Sequence, residues 1–222
     1  MDSITQAALG ASIAGAVAGK TLGRSALLTG ALLGTLPDLD VVIDYGTAVA
    51  NFTQHRGFSH SLFILAPLSL LIAWGLWRWK PLISYQRWLA LVGLILITHP
   101  LLDAFTTYGT QLFWPIGPPL AATSIFIIDP IYTLPLLLAV LYGLIRPPAV
   151  RAQGIALAAS SAYLLWALGA QALINHRIDE HLAGRDLATA PRVVQPMPFT
   201  TLLWRVTVLG SEKRLEIVTG PF

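Results

Sequence analysis

Residues Trp88–Phe105 read WLALVGLILITHPLLDAF, an apolar run with no charged side chain before Asp103 and a late interruption at His99-Pro100. A helix that crosses a bilayer needs about 20 apolar residues, with a range of about 17–25, and this run is long enough. Ser61–Trp77, Ile127–Ile145 and Gly154–Ile174 meet the same criterion, and two shorter stretches, Ile4–Ala18 and Ser25–Leu36, open the chain. The composition agrees: of 222 residues, 55% are hydrophobic and 11% charged, with a mean hydropathy of +0.67. Soluble domains carry about 25% charged residues, so the excess apolar surface must face lipid. The reading is an all-α polytopic membrane protein of about six apolar helices.

The first two stretches are expected to pair as a short hairpin. Ala7, Ala11, Gly15 and Gly19 recur every four residues, as do Ala26, Gly30 and Gly34. Small residues on one face let helix backbones approach closely in lipid. Net charge is +3 without a Lys/Arg cluster, which argues against a nucleic-acid partner. The absence of cysteine removes disulfides, thiolate nucleophiles and sulfur-ligated metals. No basic region precedes the first stretch, so it is expected to stay in the mature protein.

Residues 1–175 are assigned to the transmembrane helical domain and 176–222 to an extramembrane tail. In the tail, Pro191, Pro196 and Pro198 break any helix. Thr201–Leu209 and Leu215–Thr219 read as strands of a β-hairpin turned at Gly210–Arg214. A lone hairpin is marginal in water. The tail should therefore lean on the membrane domain or a partner, or belong to a longer protein cut short.

Charge placement orients the helices. Lys20 and Arg24, then Arg78, Lys80 and Arg87, then Arg146 and Arg151 fall in alternate connections, and the positive-inside rule makes that side cytoplasmic. Asp2, Asp38, Asp40, Asp44, Asp103 and Asp129 fall on the opposite side with all five histidines.

Three clusters there carry chemistry. In Leu36-Pro37-Asp38-Leu39-Asp40, an extended turn would aim both carboxylates the same way, and they repel unless a cation or protons intervene; helix-capping aspartates in a solvated loop are the plainer alternative. In His55-Arg56-Gly57-Phe58-Ser59-His60, the imidazoles cannot share a helix face, and Gly57 would let a loop aim both at one point. Histidine with carboxylate suits zinc, manganese or iron, and Arg56 could neutralise an anionic group; headgroup anchoring is the alternative. In His99-Pro100-Leu101-Leu102-Asp103, the i, i+4 pair shares a helix face, either around an ion or as a structural hydrogen bond. Tyr108 and Gln111 are candidates to orient a substrate. Asp129 reads equally as a helix cap or a ligand, Trp114 as part of an aromatic belt, and His176 and His181 as surface residues.

These motifs, in order with Met1-Asp2-Ser3-Ile4-Thr5-Gln6-Ala7-Ala8-Leu9-Gly10 at the start and Tyr108-Gly109-Thr110-Gln111-Leu112-Phe113-Trp114-Pro115 after them, resemble the YdjM-like family of inner-membrane proteins described as membrane-bound metal-dependent hydrolases. The resemblance covers about residues 1–145, with Pro198-Phe199 and Leu202-Leu203-Trp204-Arg205 in the tail. It implies Asp38, Asp40, His55, His60, His99 and Asp103 as metal-site positions. Family members often carry His where this chain has Gln6. The expected function is hydrolysis of an ester or phosphoester at the membrane interface with a divalent metal, zinc or manganese. In that scheme Asp38 or Asp40 serves as general base and Arg56 holds the anionic group. The bilayer and a lipid or phosphoester substrate are the expected partners. A non-enzymatic protein with a structural metal or lipid-headgroup site is the alternative, and ion transport ranks below both because the polar groups gather at one end.

Overall fold

The computed structural model describes residues 1–184, 187–210 and 214–222. Asp2 starts the first helix by accepting the Thr5 N–H at 3.0 Å, and α1 runs from Ser3 to Leu22. Gly23 turns the chain with φ +55°, a left-handed conformation that glycine adopts without strain, and α2 returns over Arg24–Thr35. The two helices touch through backbone. A Cβ on Gly10 would run into the Gly30 carbonyl, one on Gly30 into the Gly10 carbonyl, and one on Gly34 into the Gln6 carbonyl. The close-packing face expected from composition is present. On α2 it is the Gly30–Gly34 stripe; on α1 it is Gln6, Gly10 and Ala14 rather than the neighbouring Ala7–Ala11–Gly15 row.

A 3-10 turn, Pro37–Val42, leaves α2, and the short α3, Ala48–Gln54, precedes a second 3-10 turn, Phe58–His60. Then come α4 (Leu62–Trp79), α5 (Tyr85–Ala104), α6 (Pro130–Ile145) and α7 (Val150–Leu182). Helix α1 stands at the centre, packed on α2, α5, α6 and α7. The core holds Trp88, Leu91, Ile95 and Leu96 of α5 with Leu65 of α4 and Leu136 of α6. Leu70, Leu71 and Trp74 on α4 and Leu134, Leu138 and Leu141 on α6 are exposed, as lipid-facing side chains must be.

Six of these helices correspond to the six apolar stretches, with three boundary differences. Helix α1 is a full 20 residues, because Asp2 caps it earlier and it continues to Leu22. Helix α6 is only 16 residues, since Asp129 and Pro130 fix its start; among the described residues, α4, α5 and α7 are the three helices long and apolar enough to cross a membrane. Helix α7 does not stop near residue 174. Ile174, Ile178 and Leu182 recur at i, i+4 on its polar extension and bury there.

What they bury against is the tail, a three-stranded antiparallel sheet in the order β1 (Arg192–Pro196), β2 (Trp204–Leu209), β3 (Arg214–Thr219). Trp204 pairs with Pro196 on one side and Thr219 on the other. The expected hairpin is β2–β3. The third strand hides in the sequence behind its prolines, which an edge strand tolerates. The expected turn residues 211–213 lie outside the described residues. Val194, Trp204, Val206 and Val208 form the buried face against Ala170, Ile174, Ile178 and Leu182 of α7.

The basic connections meet at one end. Arg24 Nε donates to the Leu144 carbonyl at 2.6 Å, and Val150 lies against Gly19. The C-terminus of α5, the N-terminus of α1 and both 3-10 turns lie together at the other end, where Gln6 reaches Asp103 and Asp40 reaches Ser59.

Candidate metal centre

At that second end, Asp38, His60, His99 and Asp103 each offer one ligand atom, all within 4.8 Å of one another. They come from three segments. Pro37 ends α2 and starts the 3-10 turn that carries Asp38 and Asp40. The second 3-10 turn carries His60 to the mouth of α4. His99 and Asp103 share a face of α5, with His99 Nε2 3.7 Å from Asp103 Oδ2.

Hydrogen bonds fix how the rings point. His99 Nδ1 lies 2.7 Å from the Gly34 carbonyl, which only accepts, so Nδ1 carries the proton. His60 Nδ1 lies 2.8 Å from Ser59 Oγ, and Ser59 Oγ donates at 2.7 Å to Asp40 Oδ2, so this Nδ1 is also the donor. With Nδ1 as the donor, the neutral form of each ring turns its Nε2 lone pair inward. The two Nε2 atoms stand 3.1 Å apart. Asp38 Oδ1 lies 3.4 Å from each of them, and Asp103 Oδ2 lies 3.2 Å from His60 Nε2. Four acceptors therefore converge on one point, and only protons or a cation there can relieve the repulsion.

The arrangement fits a metal. Zinc at its usual 2.0–2.2 Å from nitrogen and oxygen ligands implies a tetrahedron with edges of about 3.3–3.6 Å; five of the six separations here are 3.1–3.7 Å, and the sixth, between the two carboxylates, lies within 4.8 Å. Asp103 Oδ2 is buried without an aligned hydrogen bond, with Arg56 Nε at 3.4 Å, so it keeps a lone pair for an ion. The partners on the remaining ring nitrogens are what metal-binding histidines use to fix their tautomer.

Protons on the imidazoles relieve the same repulsion. Burial opposes ionisation of Asp38, but His60 and His99 outweigh it and hold the carboxyl well below the usual carboxylate range. Burial also opposes charge on His60, yet Asp103 and Asp38 raise its pKa above the ordinary value.

Not every candidate from the sequence joins the four. Asp38 and Asp40 do not point the same way, because the segment is a 3-10 turn rather than an extended one, and at about three residues per turn i and i+2 diverge. Asp40 faces His55 instead, with His55 Nδ1 3.0 Å from Asp40 Oδ1, and takes hydrogen bonds from Ser59 Oγ and the Arg56 N–H. Burial works against its ionisation, but these neighbours lower its pKa. Arg56 takes a left-handed φ of +64°, pinned by that N–H and by its carbonyl, which accepts from Gln111 N at 3.2 Å. The flexible residue of the motif is thus not Gly57, whose missing Cβ leaves room for the Gln54 carbonyl. The Arg56 guanidinium is buried, lies 4.7 Å over the Tyr108 ring, and holds Nε 3.4 Å from Asp103 Oδ2. Together with His55, Tyr108, Gly109, Thr110 and Gln111 it lines a cavity of about 210 Å³ beside the four-residue group.

Gln6 donates at 3.1 Å to both Asp103 Oδ1 and the His99 carbonyl, and the Met1 amino group also meets Asp103 Oδ1. Asp129 is a cap: Oδ1 accepts from Ile131 and Tyr132 N–H, and Tyr163 Oη donates to Oδ2. His176 and His181 lie on the exposed surface of α7, far along the chain from the cluster. Sequence reasoning missed Ser59 and the Gly34 carbonyl. The serine had a signal, its place between two histidines in a motif; the carbonyl had none.

A family model described as YdjM inner membrane protein matches residues 1–174. Inner membrane protein YbcI of Escherichia coli (strain K12) is 36% identical over 112 residues, 50% of this chain and 64% of the relative. The similarity thus spans less than two thirds of that relative. No solved structure matches.

Proposed function

The chain belongs to the YdjM inner membrane protein family, and from that premise we propose that it is a metal-dependent hydrolase of an ester or phosphoester at the membrane–water boundary, on the non-cytoplasmic face. The observation that carries this reading is the convergence of two Nε2 lone pairs and two carboxylates, beside a cavity lined by a buried arginine.

Asp38, His60, His99 and Asp103 would hold the ion. A divalent metal supplies Lewis acidity, toward either a water or the oxygen of the scissile group. Gly34, Ser59 and Gln6 orient the holding residues through the hydrogen bonds above. Asp40, linked to His60 through Ser59 and adjacent to His55, is the carboxylate placed to accept a proton outside the ion-holding set. Arg56 lines the cavity with its guanidinium stacked on Tyr108, where it would hold an anionic phosphoryl or carboxyl group.

A second reading has its own observation. Four protein ligands complete a tetrahedral zinc shell, the arrangement of structural sites, whereas catalytic zinc keeps one position open. The partly exposed Asp38 is the ligand whose release would open one. Metal analysis of the purified protein, with phosphodiesterase and lipase assays on the wild type, His60→Ala and Asp103→Ala, separates the readings. Stoichiometric metal with turnover that both variants abolish supports the hydrolase. Metal that stabilises the fold without turnover supports the structural ion. A protein without metal refutes both.

A further inference from the structure

The C-terminal tail lies beyond the family match, which ends at residue 174, and plays no part in the metal centre. Its Pro198-Phe199 and Leu202-Leu203-Trp204-Arg205 segments still need an explanation. Helix α7, with 33 residues, is about 50 Å long at 1.5 Å per residue. The hydrocarbon core is about 30 Å thick, so the helix projects well past the bilayer and the sheet packs on the projecting part.

Contacts order the sheet by depth. Tyr163 of α7 bonds to Asp129 at the site end of α6, which places that turn of α7 level with the end of the bundle. Trp166 follows three residues later, at the depth where indoles collect in membrane proteins. It donates to Thr201 Oγ1 at 3.2 Å and stacks on Phe222, with ring centroids 5.9 Å apart. Phe199 packs edge-on against Phe126, just before the start of α6, at 5.6 Å. Far from the bundle, Arg192 pairs with Asp179 at 2.6 Å. The sheet thus stands with its Pro196–Trp204–Thr219 end toward the bilayer.

That end is the apolar one. Phe199, Leu202, Leu203 and Phe222 are each at least half exposed, and they continue the lipid-facing surface of Leu165 and Trp166 on α7. Beside them Arg205 has no ion-pair partner among the described residues and lines a cleft of about 360 Å³ with Thr107, Phe126, Gln195 and Met197. Apolar side chains next to an unpaired cation, at the depth of an aromatic belt, match acyl chains below and phosphates above.

We propose that Phe199, Leu202, Leu203 and Phe222, with Arg205 beside them, form a docking surface for the phospholipid bilayer. The tail is then anchored at the interface, its apolar end among acyl chains and Arg205 against headgroup phosphate. The inference is independent of any hydrolase activity.

The chain has no cysteine, so single labelling sites are clean. Phe199→Cys, Leu203→Cys and, as the distal control, Leu209→Cys in full-length protein are spin-labelled and reconstituted in phosphatidylcholine–phosphatidylglycerol vesicles. Labels at 199 and 203 should collide with oxygen and be shielded from a water-soluble nickel chelate, whereas the label at 209 should show the reverse. Arg205→Gln should move the 203 label toward the aqueous side. Equal nickel accessibility at all three positions overturns the proposal. So does shielding at 199 and 203 that disappears when protein is diluted in lipid, the signature of a second copy covering the patch. An unchanged depth in Arg205→Gln overturns the headgroup contact.

Discussion

At the scale of single residues, the two inward Nε2 lone pairs are made by their outer partners. Ser59 is the most informative of these, because it sets the tautomer of His60 while relaying to Asp40. Removing such a partner generally weakens metal binding about 10–100-fold, and Ser59→Ala should lie in that range by competition with a chelator, with Ser59→Thr retaining most of the affinity. Gln6→Ala takes one donor from the His99 carbonyl and one from Asp103 Oδ1, which keeps the Met1 amino group, and a hydrogen bond to a charged group contributes about 1.5–3 kcal/mol. Its thermal midpoint in detergent should drop accordingly, and an unchanged midpoint would mean that water replaces the amide. The sequence already displays the residues of this site, since histidines and carboxylates are conspicuous in a chain with so few polar groups. It could not separate Asp38 from Asp40, because their divergence depends on whether the turn is extended or 3-10.

At the scale of elements, the α1–α2 hairpin depends on glycines that admit backbone contact. Overpacking a tight interface costs about 1–3 kcal/mol, so Gly30→Leu should destabilise the protein at least that much. The displacement should also reach the metal centre, because Gly34, one turn on, holds His99. Gly75→Ala, where a Cβ meets nothing within 4 Å, is the matched control. Asp129 offers a test with a defined pH sign. Burial raises its pKa against the hydrogen bonds it accepts. The ionised form is therefore less favourable folded than unfolded, so the stability that the protonated carboxyl gives at low pH is lost as pH rises from the unfolded carboxyl value through the raised folded one. Asp129→Asn keeps a capping oxygen and should flatten that slope, whereas Asp129→Ala loses the cap at about 0.5–2 kcal/mol. Thermal unfolding across mildly acidic pH distinguishes them, and a steeper slope in Asp129→Asn would contradict the assignment. The helices were legible from their apolar runs. Their ends were not, since caps, prolines and the burial of Ile178 and Leu182 against the sheet decide them.

At the scale of the whole molecule, few charges are sorted to two ends. Before the tail, seven of the eight cations lie in alternate connections, Arg56 being the exception, and the candidate metal centre gathers at the other end with the acids. The proposed orientation, with the basic connections cytoplasmic by the positive-inside rule, carries the candidate metal centre to the non-cytoplasmic face. A cysteine at Val42, which is 80% exposed near the site, should react in intact cells with a maleimide that cannot cross the membrane. Reaction only after permeabilisation would reverse the orientation. The sheet is joined to the bundle chiefly through α7, so Ile178→Asp should loosen it, raising protease cleavage within 190–222 while metal binding persists.

Composition and apolar run length alone determine that this chain is a helical membrane protein, because transfer to lipid depends on how many apolar residues follow one another and little on their neighbours in space. The same sequence shows which chemistry is present and at which end it gathers. Only the tertiary structure decides that four of the six metal-site candidates converge, that Asp40 pairs with His55 instead, and that a third strand completes the tail. Each of these rests on ångström-scale contacts between segments far apart in the chain, as between Gly34 and His99 or Ile178 and the sheet, and local sequence cannot encode such distances.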